Sequence, residues 1–158
     1  MKNPVVIFGA GNLGRIALDI FSSNEVLIYG FLDDNQKLHN TEISEVLVLG
    51  DPADDGFLKI IGNKTEAFVA LENKTHKEKV VKMLLERRKT MPVNAIHGKA
   101  IVSEDAELGH GILIAAGAVI NQGSKIGKNA RIGAGSVVIE DVKEGATVFG
   151  NPAVVVGK

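Results

Sequence analysis

Two kinds of hydrophobic patterning divide this chain. Up to about residue 90, apolar residues come in short runs separated by glycine, helical stripes and polar loops. Val5 to Phe8 is a continuous apolar run that ends at a glycine, as a parallel strand buried on both faces does. Leu13, Ile16, Ala17, Ile20 and Phe21 then fall on one face of a helix. Val26 to Leu32, Glu45 to Leu49 and Ala67 to Leu71 read as further strands. Thr75-His76-Lys77-Glu78 reads as a capping box for a helix with a buried stripe of Val80, Val81, Leu84 and Leu85.

From residue 96 the period changes. Ile96, Val102, Leu108, Ile114, Ile120, Ile126, Ile132 and Val138 recur every six residues without a miss. With 45% of the chain hydrophobic, an unbroken run of eight aliphatics in one phase is improbable by chance. A six-residue period suits neither an ordinary helix nor a hairpin. It predicts a hexapeptide β-helix, in which each turn of chain cannot bury its own apolar face and must stack on the next. Four positions beyond each anchor come Ala100, Ala106, Ile112, Ala118, Ser124, Ala130, Ser136 and Val142, mostly small, as a tight interior demands. Gly109, Gly127 and Gly133, one position after an anchor, are assigned to corners needing positive φ. Each buried anchor contributes about 1.5–3 kcal/mol before chain entropy is subtracted. Thr90-Met91-Pro92 breaks the preceding helix, so the boundary is drawn between 1–91 and 92–158. The expected fold is an α/β, Rossmann-like amino-terminal domain followed by a short parallel β-helix. So short a column would gain from partner subunits, and a homotrimer packed along its sides is expected.

Composition narrows the function classes. With 18 basic and 19 acidic residues the net charge is −1, and aromatics make up 4%, so no nucleic-acid surface is expected. The chain has no cysteine, which excludes disulfides, thiolate nucleophiles and cysteine metal sites. The first apolar run is too short for a signal peptide, and no stretch approaches the ~20 residues of a membrane helix. A soluble cytoplasmic protein without membrane association is expected.

The chemistry-bearing motif of the first region is Gly9-Ala10-Gly11-Asn12-Leu13-Gly14, a GxGxxG turn between a strand and a helix. The second strand ends at Asp33-Asp34, 22 residues after Gly11. Strand, glycine turn, helix, strand and acid is the order of a nucleotide-binding βαβ unit. The glycines let backbone approach a pyrophosphate, the helix amino end offers N–H groups, and the carboxylate accepts ribose or base hydrogen bonds. The alternative is that the glycines only make a tight turn. About 90 residues leave little room for two βαβαβ halves, so a mononucleotide or sugar nucleotide is favoured over NAD.

The end of the chain, Val148-Phe149-Gly150-Asn151-Pro152-Ala153, departs from the repeat and resembles the close of the hexapeptide acyltransferases. Those proteins trimerise through a left-handed β-helix, and their closing Gly-Asn-Pro-Ala segment lies beside the pantetheine arm of coenzyme A. The glycine turn, the Gly30-Phe31-Leu32-Asp33-Asp34 strand end and the Ile96-His97 start of the repeats together resemble the sugar O-acyltransferases of the sialic acid O-acetyltransferase (NeuD-like) type. Close relatives of that type are bacterial N-acetyltransferases acting on UDP-linked amino sugars. The resemblance implies that Gly9, Gly11, Asn12, Asp33 and Asp34 hold a nucleotide-sugar. It also implies that acetyl-CoA, the cosubstrate, lies along the β-helix and reaches Gly150, Asn151, Pro152 and Ala153. The implied activity is acetyl transfer to an amine or hydroxyl of the sugar, with no metal.

The chain departs from the family in several places. Its β-helix is shorter, and the histidine–acid pair that serves the family as general base has no counterpart. Aligned from the end of the β-helix, the histidine position falls on Glu104 and the acid on Asp105. Glu72-Asn73 stands where relatives carry a glycine-containing loop. His39 and His76 read as solvated, and His97 matches a family histidine that is not the base. His110, between Gly109 and Gly111 on the β-helix surface, is the candidate catalytic base, against a corner residue without a role. Arg131 and Lys158 are basic residues of the kind that meet coenzyme A phosphates, although solvated side chains are the commoner explanation. The competing function is a catalytically impaired sugar-nucleotide-binding or trimeric scaffold protein of the same fold. A metal-dependent hydratase on the same β-helix needs convergent histidines, and only His97 and His110 lie in the repeats.

Overall fold

The computed structural model describes residues 2–157, so Lys158 lies outside the described residues. The chain divides into two compact units, Met1–Val93 and Asn94–Lys158.

The first unit is built on a five-stranded sheet. β1 (Val5–Phe8) leads into α1 (Asn12–Ser23) and β2 (Ile28–Leu32). A 3-10 turn at Gln36–Leu38 precedes the hairpin of β3 (Glu42–Ile43) and β4 (Val46–Gly50). A one-turn helix α2 (Asp55–Leu58), β5 (Glu66–Val69) and α3 (Lys74–Arg88) complete it. The strand order is β3-β4-β2-β1-β5, with β4, β2, β1 and β5 parallel and β3 antiparallel to β4. The chain moves from β1 to β2 on one side, then returns to β5 on the other. β1 and β5 therefore flank a topological switch point, where open α/β sheets bind ligands outside the carboxyl ends of their strands.

The apolar runs became strands because both faces are covered: Val5, Val6, Ile7 and Phe8 are all buried. α1 buries Leu13, Gly14, Ala17, Ile20 and Phe21, with Ile16 half-buried. The hairpin β3–β4 was not anticipated; Ser44 and Glu45 at its tip both take positive φ, the geometry that suits strand twist. Two expectations for α3 are corrected. Its N-cap is Asn73, whose side chain accepts from the His76 N–H, so Thr75 lies inside the helix. Val80 and Leu84 are buried, but Leu85 is exposed.

The second unit is a parallel β-helix. Two-residue strands recur as β6 (Ala95–Ile96), β7 (Ile101–Val102), β8 (Glu107–Leu108), β9 (Leu113–Ile114), β10 (Val119–Ile120), β11 (Lys125–Ile126), β12 (Arg131–Ile132) and β13 (Val137–Val138). Successive strands pass to successive walls. Pairing at a separation of 18 residues stacks Ile96 on Ile114 on Ile132, Val102 on Ile120 on Val138, and Leu108 on Ile126. The period therefore gives a triangular coil of three hexapeptides. Ile114, Ile120, Ile126, Ile132 and Val138 line one buried core with Ala118 and Ala130.

The last coil is two residues shorter. Val142, assigned by spacing to the small-residue series, instead bridges Ile126 and takes an anchor place. Val148, expected to lie outside the repeat, stacks on Ile132 within β14 (Thr147–Gly150). β15 (Ala153–Val156) then folds back antiparallel on β14 and ends the sheet β15-β14-β12-β9-β6. The corner glycines are also corrected. Positive φ falls three positions after an anchor, as at Gly117 and Gly123, whereas Gly109, Gly127 and Gly133 have ordinary φ. Those three are glycine because of close approach. A Cβ on Gly127 would lie 2.4 Å from the Glu144 nitrogen, and one on Gly109 would lie 2.6 Å from the Lys128 nitrogen.

Candidate functional site

The glycine turn is shaped by packing at two of its three glycines. Gly9 has φ +110, and a Cβ there would lie 2.4 Å from the Ala70 carbonyl oxygen. Gly14 sits in α1 with its Cβ position 2.0 Å from the Gly9 carbonyl oxygen, so the helix can approach the turn only without a side chain. Gly11 differs: a Cβ there would meet nothing within 4 Å. It is the N-cap of α1 and offers no side chain to the first-turn N–H groups. Gly9 and Gly14 therefore serve the fold, while Gly11 keeps the amino end of α1 open. Asn12, the first helical residue, is exposed beside it.

The two carboxylates at the end of β2 do different work. Asp33 Oδ2 accepts from the Ala10 N–H at 2.8 Å, and its Oδ1 accepts from the Asn35 N–H at 2.8 Å. It braces the glycine turn against the loop after β2. Asp34 instead carries a salt bridge, its Oδ2 lying 3.0 Å from His76 Nε2 in the first turn of α3. His39, read from the sequence as solvated, donates from Nε2 to the Asp33 carbonyl oxygen at 2.6 Å. His76, read the same way, is the partner of Asp34. Neither pairing had a signal in the sequence: His39 bonds a backbone carbonyl within its own loop, and His76 meets a carboxylate from another loop of the sheet's carboxyl edge.

In the β-helix, His110 occupies the corner between β8 and β9. Its carbonyl accepts from the Asn129 N–H of the next coil at 2.9 Å. Its Nδ1 is buried and has no hydrogen-bond partner among the described residues. Burial, reinforced by the Lys128 ammonium and opposed by the Glu144 carboxylate, holds its pKa below the ordinary histidine value. The imidazole is therefore neutral near pH 7, the protonation state a general base requires. Among the described residues no carboxylate accepts a hydrogen bond from this Nδ1. Asp105, the position where one register puts the family's acid, instead accepts from the Ser103 hydroxyl and the Gly123 N–H. Those bonds, the Ser103 hydroxyl foremost, hold its pKa below the usual carboxylate range.

Gly150 to Ala153 forms the tip of the terminal hairpin, with a cis Asn151–Pro152 peptide. The Gly150 N–H donates to the buried Ser136 hydroxyl at 3.2 Å, which fixes the hairpin to the β-helix core. Phe149 lies over Gly133, whose missing side chain makes room for the ring. The Arg131 guanidinium carbon stands 5.9 Å from the centroid of that ring. The sites expected from the sequence thus fall into three local groups: the glycine turn with Asp33 and Asp34, the His110 corner, and the terminal hairpin.

Residues 4–84 match the model of the PglD N-terminal domain family, which spans the whole glycine-turn sheet. The chain belongs to this family. No curated protein matches its sequence. Solved structures with the same fold span it from end to end. A variant of perosamine N-acetyltransferase from Caulobacter crescentus, in complex with CoA and GDP-perosamine, aligns at a TM-score of 0.64 and 21% identity over 100% of this chain and 99% of that one. The acetyltransferase domain of PglB from Neisseria gonorrhoeae, in complex with acetyl coenzyme A, aligns at 0.63 and 16% identity over 99% and 100%. WeeI from Acinetobacter baumannii aligns at 0.55 and 20% identity over 97% and 99%. At these identities the likeness is one of fold: a PglD-type amino-terminal domain followed by a parallel β-helix.

Among the described residues no group of three or more His, Cys, Asp or Glu side chains could hold a metal ion. Among the same residues no helix is long and apolar enough to cross a membrane.

Proposed function

We propose that this PglD-family protein is an acetyl-CoA-dependent acetyltransferase acting on an amine or hydroxyl of a nucleotide-activated sugar. Residues 1–91 hold the nucleotide-sugar and 92–158 hold acetyl-CoA. The observation that carries the reading is the pairing, in one chain, of an open glycine turn at a sheet switch point with a hexapeptide β-helix closed by Gly150 to Ala153. Relatives of the same two-part fold are described as binding CoA with GDP-perosamine, or acetyl coenzyme A, which supports both halves. The sialic acid O-acetyltransferase type and the N-acetyltransferases differ in the atom acylated, and the reading covers both.

In this reading Gly9 shapes the turn, Gly11 admits the pyrophosphate to the amino end of α1 beside Asn12, and Asp34 faces the ribose or base. Asp33 acts at one remove, by bracing the turn through Ala10. Gly150, Asn151, Pro152 and Ala153 flank the pantetheine arm. His110 takes the proton as the sugar nitrogen or oxygen attacks the thioester carbonyl; the new C–N or C–O bond forms, the C–S bond breaks, and the imidazolium returns the proton to the departing sulfur, so that coenzyme A leaves as the thiol. A neutral imidazole suits that role.

The chain would act as a homotrimer through the wall of β7, β10 and β13. Its outward column, Ile101, Val119 and Val137, is apolar, and Ile101 is 66% exposed. The wall of β8 and β11 instead presents Glu107 and Lys125. A competing reading is a sugar-nucleotide-binding scaffold without chemistry, favoured by the lack, among the described residues, of a hydrogen-bond partner for His110 Nδ1.

The test is release of free CoA thiol from acetyl-CoA in the presence of UDP-, CMP- and GDP-linked amino sugars, beside calorimetric titration of each ligand. Turnover with one sugar nucleotide is expected. Saturable sugar-nucleotide binding with no thiol release would select the scaffold, and no binding of acetyl-CoA at all would end the transferase reading.

A further inference from the structure

The Asp34–His76 salt bridge is placed by topology across the mouth of the nucleotide crevice. β2 and β5 lie on opposite sides of β1 in the sheet. Asp34 follows β2, and His76 lies in the first turn of α3, the helix that follows β5. A contact of 3.0 Å between them must therefore cross the carboxyl end of β1, where the glycine turn begins. Both side chains remain exposed to solvent, at 40% for His76 and 59% for Asp34. The neighbouring Asp33 has both oxygens committed to backbone N–H groups and takes no part in the strap.

We propose that this pair is an exchangeable strap: on binding, the imidazole N–H of His76 leaves the Asp34 carboxylate for a phosphate oxygen of the nucleotide. Asp34 is thereby released to accept a ligand hydroxyl or base N–H. The inference rests on the nucleotide reading of the glycine turn and names His76 as a further ligand residue there. The exchange is favourable for a plain reason. A solvent-exposed contact of this kind is worth little, while a hydrogen bond to a charged diphosphate oxygen at the amino end of α1 is charge-assisted and shielded by the ligand itself. The strap also orients the ring in advance, since Nε2 is held towards the crevice mouth and Asn73 fixes the first turn of α3 through the His76 N–H.

Calorimetric titration with UDP and GDP, and with uridine and guanosine, tests this on the intact chain. His76→Ala is expected to weaken diphosphate binding about tenfold while leaving nucleoside binding unchanged, and His76→Arg, which keeps a donor of similar reach, is expected to restore it. Asp34→Asn is expected to weaken the nucleosides as well as the diphosphates. Thermal melts of each variant within a few degrees of the parent keep a folding defect from imitating a binding loss. Parent protein that binds UDP or GDP with an affinity His76→Ala does not alter overturns the strap alone. Parent protein that binds neither overturns the nucleotide reading beneath it.

Discussion

The two units use polar residues in opposite ways. At the carboxyl edge of the amino-terminal sheet, contacts within the loop after β2 (Asp33 to Asn35, His39 to the Asp33 carbonyl) join contacts between loops (Asp33 to Ala10, Asp34 to His76). In the β-helix the polar contacts repeat along the stack, coil to coil, as in Lys125–Glu107 and Lys128–Glu144. A sheet edge gathers loops from distant parts of the sequence into one place. A β-helix gives each residue the same neighbours one coil up and one coil down. The first arrangement can gather a ligand site from several loops; the second makes a regular column in which a corner residue stands apart from the side chains of other walls. The amino-terminal unit therefore carries a network, and the β-helix carries one imidazole without a partner on Nδ1.

The largest effect that tests this contrast is on the column. Ile132 is fully buried between Ile114 and Val148, so Ile132→Ala should cost about 2–5 kcal/mol in a guanidinium titration. Lys125→Ala, at an exposed outward position on the wall of β8 and β11, should stay within about 0.5 kcal/mol. Equal costs at the two positions would mean that the rungs do not share an inner core.

A smaller effect separates the roles of the glycines. Gly14→Ala pushes a methyl against the Gly9 carbonyl and should cost about 1–3 kcal/mol, as overpacking does. Gly11→Ala fits the open space and the φ of −87, and should leave the melting temperature nearly unchanged while weakening UDP or GDP. If Gly11→Ala binds as the parent does, the pyrophosphate does not approach that backbone. Asp33→Asn comes next, at about 1 kcal/mol. The amide oxygen can accept from Ala10 or Asn35, but its NH2 faces the other N–H.

Much of this architecture can be read from the sequence, and the misses have physical causes. The anchors from Ile96 to Val138 are legible because every rung solves the same burial problem with the same spacing. Val142 and Val148 are not, since the final coil drops two residues and the six-residue phase breaks there while the wall-to-wall stacking continues. Glycine at a corner and glycine under a neighbour look alike in a sequence. Gly117 is demanded by φ, and Gly133 by the ring of Phe149. Asn73 and Thr75 are both good caps by type, and only the backbone decides between them. The glycine turn and Asp33-Asp34 are legible as a unit, but their division of labour is not: which carboxylate braces the turn depends on where the Ala10 N–H points. His76 is silent in the sequence because its partner comes from another loop of the sheet.

The smallest effect falls on His110, and its sign is fixed by the environment. Burial and Lys128 disfavour the imidazolium in the folded chain, and Glu144 only partly offsets them. The folded pKa thus lies below the ordinary value of 6.5, and the unfolded chain binds more protons between the two. The stability contributed by the neutral ring is complete above about pH 6.5 and is lost as the pH falls towards the lowered folded value. His110→Gln has no such titration, so its melting temperature should fall less steeply than the parent's between pH 7 and pH 5. Because the other histidines and the carboxylates titrate in both proteins, the difference between the two curves isolates His110. Lys128→Gln should move the parent's inflection to higher pH and Glu144→Gln to lower pH. Superimposable curves for parent and His110→Gln would place the ring in solvent-like surroundings. If CoA release loses its acid limb together with this residue, the His110 imidazole is where the sugar's proton goes.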